Sequence, residues 1–348
     1  MGGSGCDDPH MAALFVAMTF SAADAGVPES LRLYRFRADL RLEQDLRIPS
    51  ERRGIVWRGA FGFTFRKLVC HDLQLDCMAC QLLDVCTYPK LFAPRVPEGR
   101  QQPKRLASPP LPIVLTDPFP EAPSLRRDEP TPLDIVVVGS AQKELPYILA
   151  TIRRLGEDGI GPDRVRFQVS RCQAVDAAGV AVYDVFLEGT ARVRAHHKAI
   201  RPLDLALPGD DGARRVRVTF RTATELRHQG EVTTGAPPFG VLFRRLRDRI
   251  GALSTFYGDE GLNEATLASL SPLADGVRIV ASDVRSTSLI RRSSRTGERH
   301  PVGGILGSVV YEGEEVRRFM PWLRVGALVG VGKHATFGGG RVRVEVVG

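Results

Sequence analysis

The chain has 348 residues, 25% charged and 43% hydrophobic, which is ordinary for a globular protein long enough to form two domains. Its net charge of +8 favours a polyanionic partner. No apolar run approaches the roughly 18 residues of a membrane-spanning helix, so we expect no membrane partner.

Residues 1–30 are predicted to be an N-terminal extension outside the folded modules. The apolar stretch at 11–20 has the composition of a secretion signal. However, it follows Asp7 and Asp8, with no lysine or arginine before it, and a signal peptide needs a basic start. We therefore expect a cytoplasmic protein.

The first half of the chain is predicted to alternate strands with helices. Residues 31–40 alternate apolar and polar side chains at period two, as in a half-buried strand. The β-branched run at 133–139 indicates a buried strand. Proline and arginine without periodicity over 96–132 indicate a long surface loop. The other predicted elements are helices at 55–68 and 143–155 and strands at 164–170 and 180–186.

The second half repeats this plan after a linker at 208–212, where proline and glycine flank two aspartates. A basic amphipathic helix is predicted over 239–256. The pattern favours an α+β fold of two tandem ferredoxin-like modules, at 31–207 and 213–348. The remaining predicted elements are strands at 215–220, 277–280, 303–312 and 341–347 and a short helix at 317–328.

Six cysteines include a tight group spaced Cys70-x6-Cys77-x2-Cys80-x5-Cys86. Two thiolates separated by two residues can bind one tetrahedral ion. In a cytosolic chain such a group indicates a metal site more readily than disulfides. We expect an inserted metal loop at 70–86 holding structural zinc, with an iron–sulfur cluster as the less favoured cofactor and four reduced thiols as the remaining alternative.

Arginine clusters carry much of the positive charge in the last third of the chain. A guanidinium group can bind phosphate through two hydrogen bonds. A solvated basic face is the alternative for any one cluster, but three together favour a nucleic acid. The clusters are Arg244, Arg245 and Arg247; Arg291, Arg292 and Arg295; and Arg341 and Arg343.

A glycine-rich loop at 330–340 surrounds Lys333 and His334 and runs into the last predicted strand. Glycines at this density let a backbone approach a phosphate or another backbone closely. The Walker spacing is absent and a strand follows, so neither a nucleoside triphosphatase nor a dinucleotide-binding protein is favoured. The loop is a candidate phosphate-binding site.

In the order and spacing of five segments, the chain resembles CRISPR-associated RAMP proteins, in particular the endoribonucleases that cut CRISPR precursor RNA. The likeness spans residues from about 31 to the end. The segments are Trp57 to Gly62 with the cysteines and Tyr88 to Phe92; Val138 to Ala141 with Gly159 to Gly161; Thr219 to Ala223 with Leu226; Arg291 to Arg295 with Gly303 to Gly307 and Tyr311 to Gly313; and the glycine-rich loop.

The resemblance implies RNA cleavage that needs no metal, in which a 2′-hydroxyl attacks its own phosphate and leaves a 2′,3′-cyclic phosphate and a 5′-hydroxyl. General acid–base help would come from His334, with Lys333 stabilising charge. CRISPR precursor RNA and guide RNA are the implied partners, together with other CRISPR effector subunits. The implied RNA-binding residues are Arg291, Arg292, Ser293, Ser294, Arg295, Arg244, Arg245, Gly332, Gly338, Gly340 and Arg341.

The chain departs from the family pattern in two places. Some relatives carry a histidine directly after the position of Gly62, where this chain has Phe63. Relatives often have Trp-Arg-Asp where this chain has residues 281–284. Other histidines remain candidates for the catalytic role. They are His71, His196, His197 and His300.

Two other functions remain open for the sequence. One is a catalytically silent RAMP subunit that holds guide RNA in an effector complex. The other is a zinc-dependent structural RNA-binding module of another pathway.

Overall fold

The structure, a computed structural model, describes residues 25–96, 109–116, 122, 124–190, 192–259, 261–292 and 299–348. Most of its strands form two antiparallel sheets, and a two-stranded hairpin completes them. Over these ranges, no helix combines the length and the apolar character needed to cross a membrane.

The first sheet contains five strands, and two long helices and one short helix accompany it. The strands are β1 Leu33–Leu42, β2 Ile113–Thr116, β3 Thr131–Val138, β4 Phe167–Val175 and β5 Ala181–Leu187, and the helices are α1 Ser50–Val69, α2 Thr87–Phe92 and α3 Leu145–Asp158.

The strand order in this sheet is β2-β3-β1-β4-β5. Helix α1 lies between β1 and β2 in the chain, and α3 lies between β3 and β4. The first four strands therefore follow the β-α-β-β-α-β plan of a ferredoxin-like module, and β5 extends the sheet at one edge.

Helix α1 supplies a large part of the first core. Trp57, Phe61 and Phe65 recur every fourth residue, so they share one helix face, and all three are buried. The two ring pairs Trp57–Phe167 and Phe61–Phe65 have centroids 5.5 and 5.8 Å apart. This aromatic face binds α1 to the sheet.

The prediction of a long surface loop over 96–132 is wrong in part. Residues 113–116 form β2, whose four residues are all buried and pair with β3. Leu125 also forms a bridge with Leu46. A strand of four residues between prolines has too little length to show periodicity, so the sequence pattern concealed it.

The second sheet contains most of the remaining strands, and three helices accompany it. The strands are β6 Arg215–Thr224, β9 Arg278–Ser282, β10 Arg285–Arg292, β11 Arg299–Glu312 and β12 Val342–Val346; β7 Arg227–His228 and β8 Glu231–Val232 form the hairpin; the helices are α4 Phe239–Tyr257, α5 Glu264–Asp275 and α6 Val316–Val329.

The order β10-β11-β6-β12 repeats the ferredoxin-like order of the first sheet, with β9 also pairing with β11. Helices α4 and α6 occupy the positions of α1 and α3 in the chain. The structure thus has the mixed α+β, antiparallel architecture that the sequence predicts. Helix α5 has no counterpart in the prediction.

The second core also takes in residues from the beginning of the described chain. Ala25, Val27 and Leu31 are buried in the same cluster as residues of α4 and α6. The indole Nε1 of Trp322, in α6, donates a hydrogen bond to the carbonyl oxygen of Ala25 at 2.7 Å. Residues 25–30, predicted as part of an extension, are therefore packed into the second module.

The two modules touch where the glycine-rich loop meets α1. A Cβ atom built on Gly338 would lie 2.4 Å from the Cα of Gly54, and one built on Gly54 would lie 2.7 Å from the Cα of Gly338. Real Cβ atoms do not approach so closely, so both positions require glycine for this contact. Gly338 also has φ 80°, which glycine adopts without strain.

We expect Gly54→Ala to destabilise the protein by about 1–3 kcal/mol, the usual cost of overpacking, because the new methyl group meets the Gly338 backbone. Gly59→Ala is the matched control, since it lies in the same helix and a Cβ there meets nothing within 4 Å. It should stabilise the protein by up to about 1 kcal/mol through helix propensity. Thermal unfolding of both variants checks this, and equal shifts would contradict the close contact.

Candidate functional site

The glycine-rich loop links α6 to β12 and is held by main-chain hydrogen bonds. The amide of Val331 donates to the carbonyl of Gly340 at 2.9 Å, and the amide of Gly340 donates to Ala223 at 3.0 Å. The amide of Lys333 donates to Glu225 at 3.0 Å. Because Ala223 and Glu225 lie at the end of β6, the loop is fixed to the central strand of the second sheet.

Glu225 is the central charged group beneath this loop. Its side chain is only 7% exposed, and three cationic or titratable groups surround it. Arg227 Nε lies 2.9 Å and Lys333 Nζ 3.7 Å from its Oε1, and His334 Nε2 lies 3.5 Å from its Oε2. The role of Glu225 could not be predicted from the sequence, because the residue lies more than a hundred residues before the loop and no spacing pattern links the two.

Lys333 and His334 differ in their access to solvent. The Lys333 side chain is 56% exposed, whereas that of His334 is 12% exposed. The structure therefore leaves the Lys333 amine open to a ligand and holds most of the His334 imidazole inside the loop. Both predicted catalytic residues meet at one carboxylate.

His334 has φ 65°, in the left-handed region that residues other than glycine seldom adopt. Such conformations persist only where the surrounding structure enforces them, and they cluster at functional sites. Here the loop hydrogen bonds enforce it, including the one from the Gly339 amide to the His334 carbonyl at 3.2 Å. The unusual backbone conformation of His334 supports a functional role for the loop, but it does not identify the chemistry of that role.

The three glycines predicted to contact RNA face protein backbone instead of an open surface. A Cβ on Gly332 would meet the Glu225 carbonyl at 2.4 Å. Gly338 meets Gly54, and a Cβ on Gly340 would likewise collide with backbone, at Val331. Close packing within the protein thus accounts for their identity, and phosphate contact by these glycines stays a prediction.

A groove of about 140 Å³ opens where the two modules meet. Arg221 and Arg341 line it from the second module, and Asp134 from the first. The Asp134 carboxylate is already paired with Arg37, at 2.7 Å from Nε. Hydroxyl groups add hydrogen-bonding capacity. The other lining residues are Ser50, Gly54, Leu115, Thr116, Thr222, Gly338 and Val342.

Arg341 is the most perturbed cation of this groove. Burial lowers the pKa of its guanidinium to about 10, and the positive charges of Arg221 and Arg35 act in the same direction, while Asp134 opposes them. Its Nη1 donates to the carbonyl of Leu328 at 3.1 Å. At neutral pH the group is still protonated, so the groove concentrates positive charge that an anion would stabilise.

The basic helix is less cationic than its sequence indicates. Arg244 in α4 pairs with Asp275 at 2.9 Å, and Arg245 pairs with Asp248 at 3.4 Å. Arg247 also pairs with Asp248, at 2.8 Å. These neighbouring carboxylates neutralise part of the charge of the helix, and RNA contact by Arg244 and Arg245 stays a prediction.

The arginine–serine segment lies at the end of β10. Arg291 and Arg292 belong to this strand, and Arg291 pairs in register with His300 of β11. Ser293, Ser294 and Arg295 lie outside the described residues. The backbone thus places the first two arginines at an outer strand of the second sheet.

The remaining candidate histidines lie apart from the loop. His71 is exposed within the cysteine segment, and His196 is exposed in the connection after β5. His197 packs against Phe36, with ring centroids 4.8 Å apart, and stacks on Tyr183. Burial lowers the pKa of His197, which suits a packing residue.

The four clustered cysteines, Cys70, Cys77, Cys80 and Cys86, line one small cavity of about 30 Å³ beside α2. Burial raises the pKa of Cys77, and negative charge on Cys70 or Cys86 raises it further. Within the described ranges, no three His, Cys, Asp or Glu side chains are grouped closely enough to hold a metal ion. The thiols therefore share one pocket but do not form a closed ligand shell.

Each half of the chain matches a known family model. Residues 218–342 match the family model of the CRISPR-associated endoribonuclease Cas6. Residues 31–198 match a family model described as an N-terminal domain. No curated protein matches the chain.

Solved Cas6 structures share this fold. A Cas6 product complex superposes with a TM-score of 0.51 at 15% identity, over 90% of this chain and 100% of that one. Thermus thermophilus Cas6 gives 0.50 at 13% identity, over 90% and 99%. A partial Cas6-RT-Cas1–Cas2 complex gives 0.54 at 12% identity, over 92% of this chain but 47% of that one. At these identities the likeness establishes the fold alone.

Residues 218–342 therefore carry a domain that matches the CRISPR-associated endoribonuclease family Cas6, and the resemblance predicted from the sequence is confirmed.

We expect Glu225→Gln to lower the free energy of unfolding by about 1.5–3 kcal/mol, the range for a hydrogen bond to a charged group, because the change removes the negative charge that Arg227 and Lys333 share. The lower end is favoured, since Arg227 and Lys333 are half exposed. Glu231→Gln, at an exposed residue of β8, is the control and should leave stability unchanged. Denaturant unfolding measures both, and equal midpoints would contradict the role of Glu225.

Proposed function

We propose that the protein is a metal-independent endoribonuclease that cleaves CRISPR repeat RNA in precursor transcripts to give guide RNAs. The observation that carries the proposal is the Cas6 family match over 218–342, which includes most of β6, all of α4 and α6, and the whole glycine-rich loop. The cationic groove beside that loop supports an RNA partner, since the sugar–phosphate backbone needs positive charge along its path.

The proposed reaction uses a nucleophile already present in the RNA. The 2′-hydroxyl loses its proton to a base, and its oxygen bonds to the adjacent phosphorus. The bond from phosphorus to the 5′-oxygen breaks, and that oxygen takes a proton from an acid. The products are a 2′,3′-cyclic phosphate and a 5′-hydroxyl, and alignment of the two reacting groups removes much of the barrier.

Lys333 is proposed to stabilise the negative charge that develops on the phosphate. Its side chain is more than half exposed and is attached to a loop fixed by main-chain hydrogen bonds. A preorganised cation helps most when it need not move during the reaction. Its 3.7 Å separation from Glu225 limits where the amine can reach.

His334 is proposed as the base or the acid, with Glu225 as a positioning residue. The carboxylate lies 3.5 Å from Nε2, so a proton held on the ring is compensated by a buried negative charge. The limited exposure of the ring requires the RNA to meet the loop directly.

An alternative function, which the Cas6 family match does not favour, rests on the family departure at Phe63. The Phe63 side chain lies on α1 and is 50% exposed, where some relatives carry histidine, and the Lys67 amine lies 4.5 Å from its ring centroid. A phenylalanine side chain cannot itself transfer a proton. A catalytically silent subunit that retains guide RNA within a CRISPR effector complex would have the same groove without the chemistry.

We expect His334→Ala to lower single-turnover cleavage of a cognate repeat RNA by roughly 10²-fold or more, with little change in affinity, because only the proton transfer is lost. Lys333→Ala should reduce both cleavage and affinity, since its charge acts on bound RNA and on the transition state. The assay includes a chelator, and His228→Ala, at an exposed residue of β7, is the control for loss of a histidine. Parental activity in His334→Ala would move the role to another residue, and an inactive parent would favour the silent subunit.

We expect replacement of Arg291, Arg292 and Arg295 by alanine to weaken RNA binding and flatten its salt dependence. The logarithmic slope should fall by roughly 0.7–0.9 for each phosphate group that these arginines no longer neutralise. Arg154→Ala, in α3, is the control, because that arginine is occupied by Asp158 at 3.0 Å on the surface of the first module. Filter binding over a salt series measures the slopes, and an unchanged slope in the triple variant would make the segment an ordinary solvated face.

A further inference from the structure

The segment between α1 and α2 has a defined conformation but almost no core. None of residues 70–88 is buried. Four of its larger side chains are strongly exposed: Leu73, Met78, Leu82 and Val85. Hydrophobic burial is the main force that orders most segments, and here it supplies little. Some other interaction must hold these residues in place.

Local hydrogen bonds shape the segment into turns. The Asp76 carboxylate accepts from the Met78 amide at 2.8 Å, and the Cys80 amide donates to the Cys77 carbonyl at 3.2 Å. These bonds place Cys77 and Cys80 at the two ends of a single short turn, Cys77–Ala79. Such turns present two sulfurs to one side, but exposed hydrogen bonds compete with water and contribute little net stability.

All four cysteines of the segment line the same cavity, with the apolar side chains of Leu75, Leu83 and Tyr88 around them. The Arg66 guanidinium of α1 donates to the carbonyl of Leu75, one of these lining residues, at 2.9 Å. Four soft sulfur donors that line one cavity suit Zn²⁺, which takes four thiolates in tetrahedral geometry.

We propose that Cys70, Cys77, Cys80 and Cys86 bind one zinc ion that orders the segment between α1 and α2. The sulfurs would close around it at about 2.3 Å. Ion binding draws them closer than they stand in the structure and replaces the missing core with four metal–sulfur bonds, so that metal affinity becomes folding free energy for this segment.

The position of the site gives the ion a structural role. Helix α2 follows Cys86 directly, and its Tyr88 and Phe92 pack against Phe65 of α1, with centroids 6.4 and 5.3 Å from that ring. A zinc ion at the start of α2 would fix this helix on α1. The proposed RNA cleavage needs no metal, so the site is independent of that proposal.

Elemental analysis of the freshly purified full chain tests the site. We expect about one zinc per chain in the parent, and loss of zinc in the variant carrying both Cys77→Ser and Cys80→Ser. Cys172→Ala is the matched control, because Cys172 is buried in β4 away from the segment, and it should keep its zinc. Three outcomes would overturn the proposal. The parent could contain neither zinc nor iron, it could contain iron with the visible absorption of an iron–sulfur cluster, or the double variant could keep its zinc.

Proteolysis gives a second readout that does not depend on RNA. Residues 70–86 contain no lysine or arginine, so chymotrypsin, which cleaves after leucine and tyrosine, is the suitable protease. Strong chelation should expose the segment to cleavage while the rest of the chain stays resistant, and added zinc should restore protection. Equal cleavage with and without chelator would show that the ion does not order the segment.

Discussion

The contact between Gly338 and Gly54 is the constraint on which the arrangement of the site depends. It joins the loop after α6 to the first turns of α1 at a backbone separation that no side chain permits. Because the same loop is hydrogen bonded to the end of β6, one short segment ties the central strand of the second sheet to a helix of the first. The groove between the modules takes its width from that junction.

The groove between the modules carries positive charge. Arg221 and Arg341 of the second module line it, and Asp134, which lines it from the first module, is already paired with Arg37. Burial lowers the pKa of Arg341, and repulsion from neighbouring guanidinium groups lowers it further. By contrast, Arg244, Arg245 and Arg247 of α4 lie beside Asp248 and Asp275, which compensate part of their charge. Both the module junction and the basic helix therefore keep positive charge for a polyanion.

Period and composition were sufficient to predict the α+β plan and most of its elements, because long strands and amphipathic helices carry their pattern in adjacent residues. The four-residue strand at 113–116 was missed for lack of length. Glu225 was missed for a different reason, since its significance comes from Lys333 and His334, which only the folded chain brings to it. The pairing of Arg244 with Asp275 joins two helices, so it depends on tertiary structure and could not be predicted from a run of arginines.

The bond from Trp322 to Ala25 bears on how the chain is made. Ala25, Val27 and Leu31 are synthesised long before their partners in α6, which follow almost three hundred residues later. Domains generally fold as units in the order of synthesis. Here these apolar residues lack their α6 partners until that helix has been made, so their burial is not complete before then. Separate expression of the second module without residues 25–31 would leave its core incomplete in the same way.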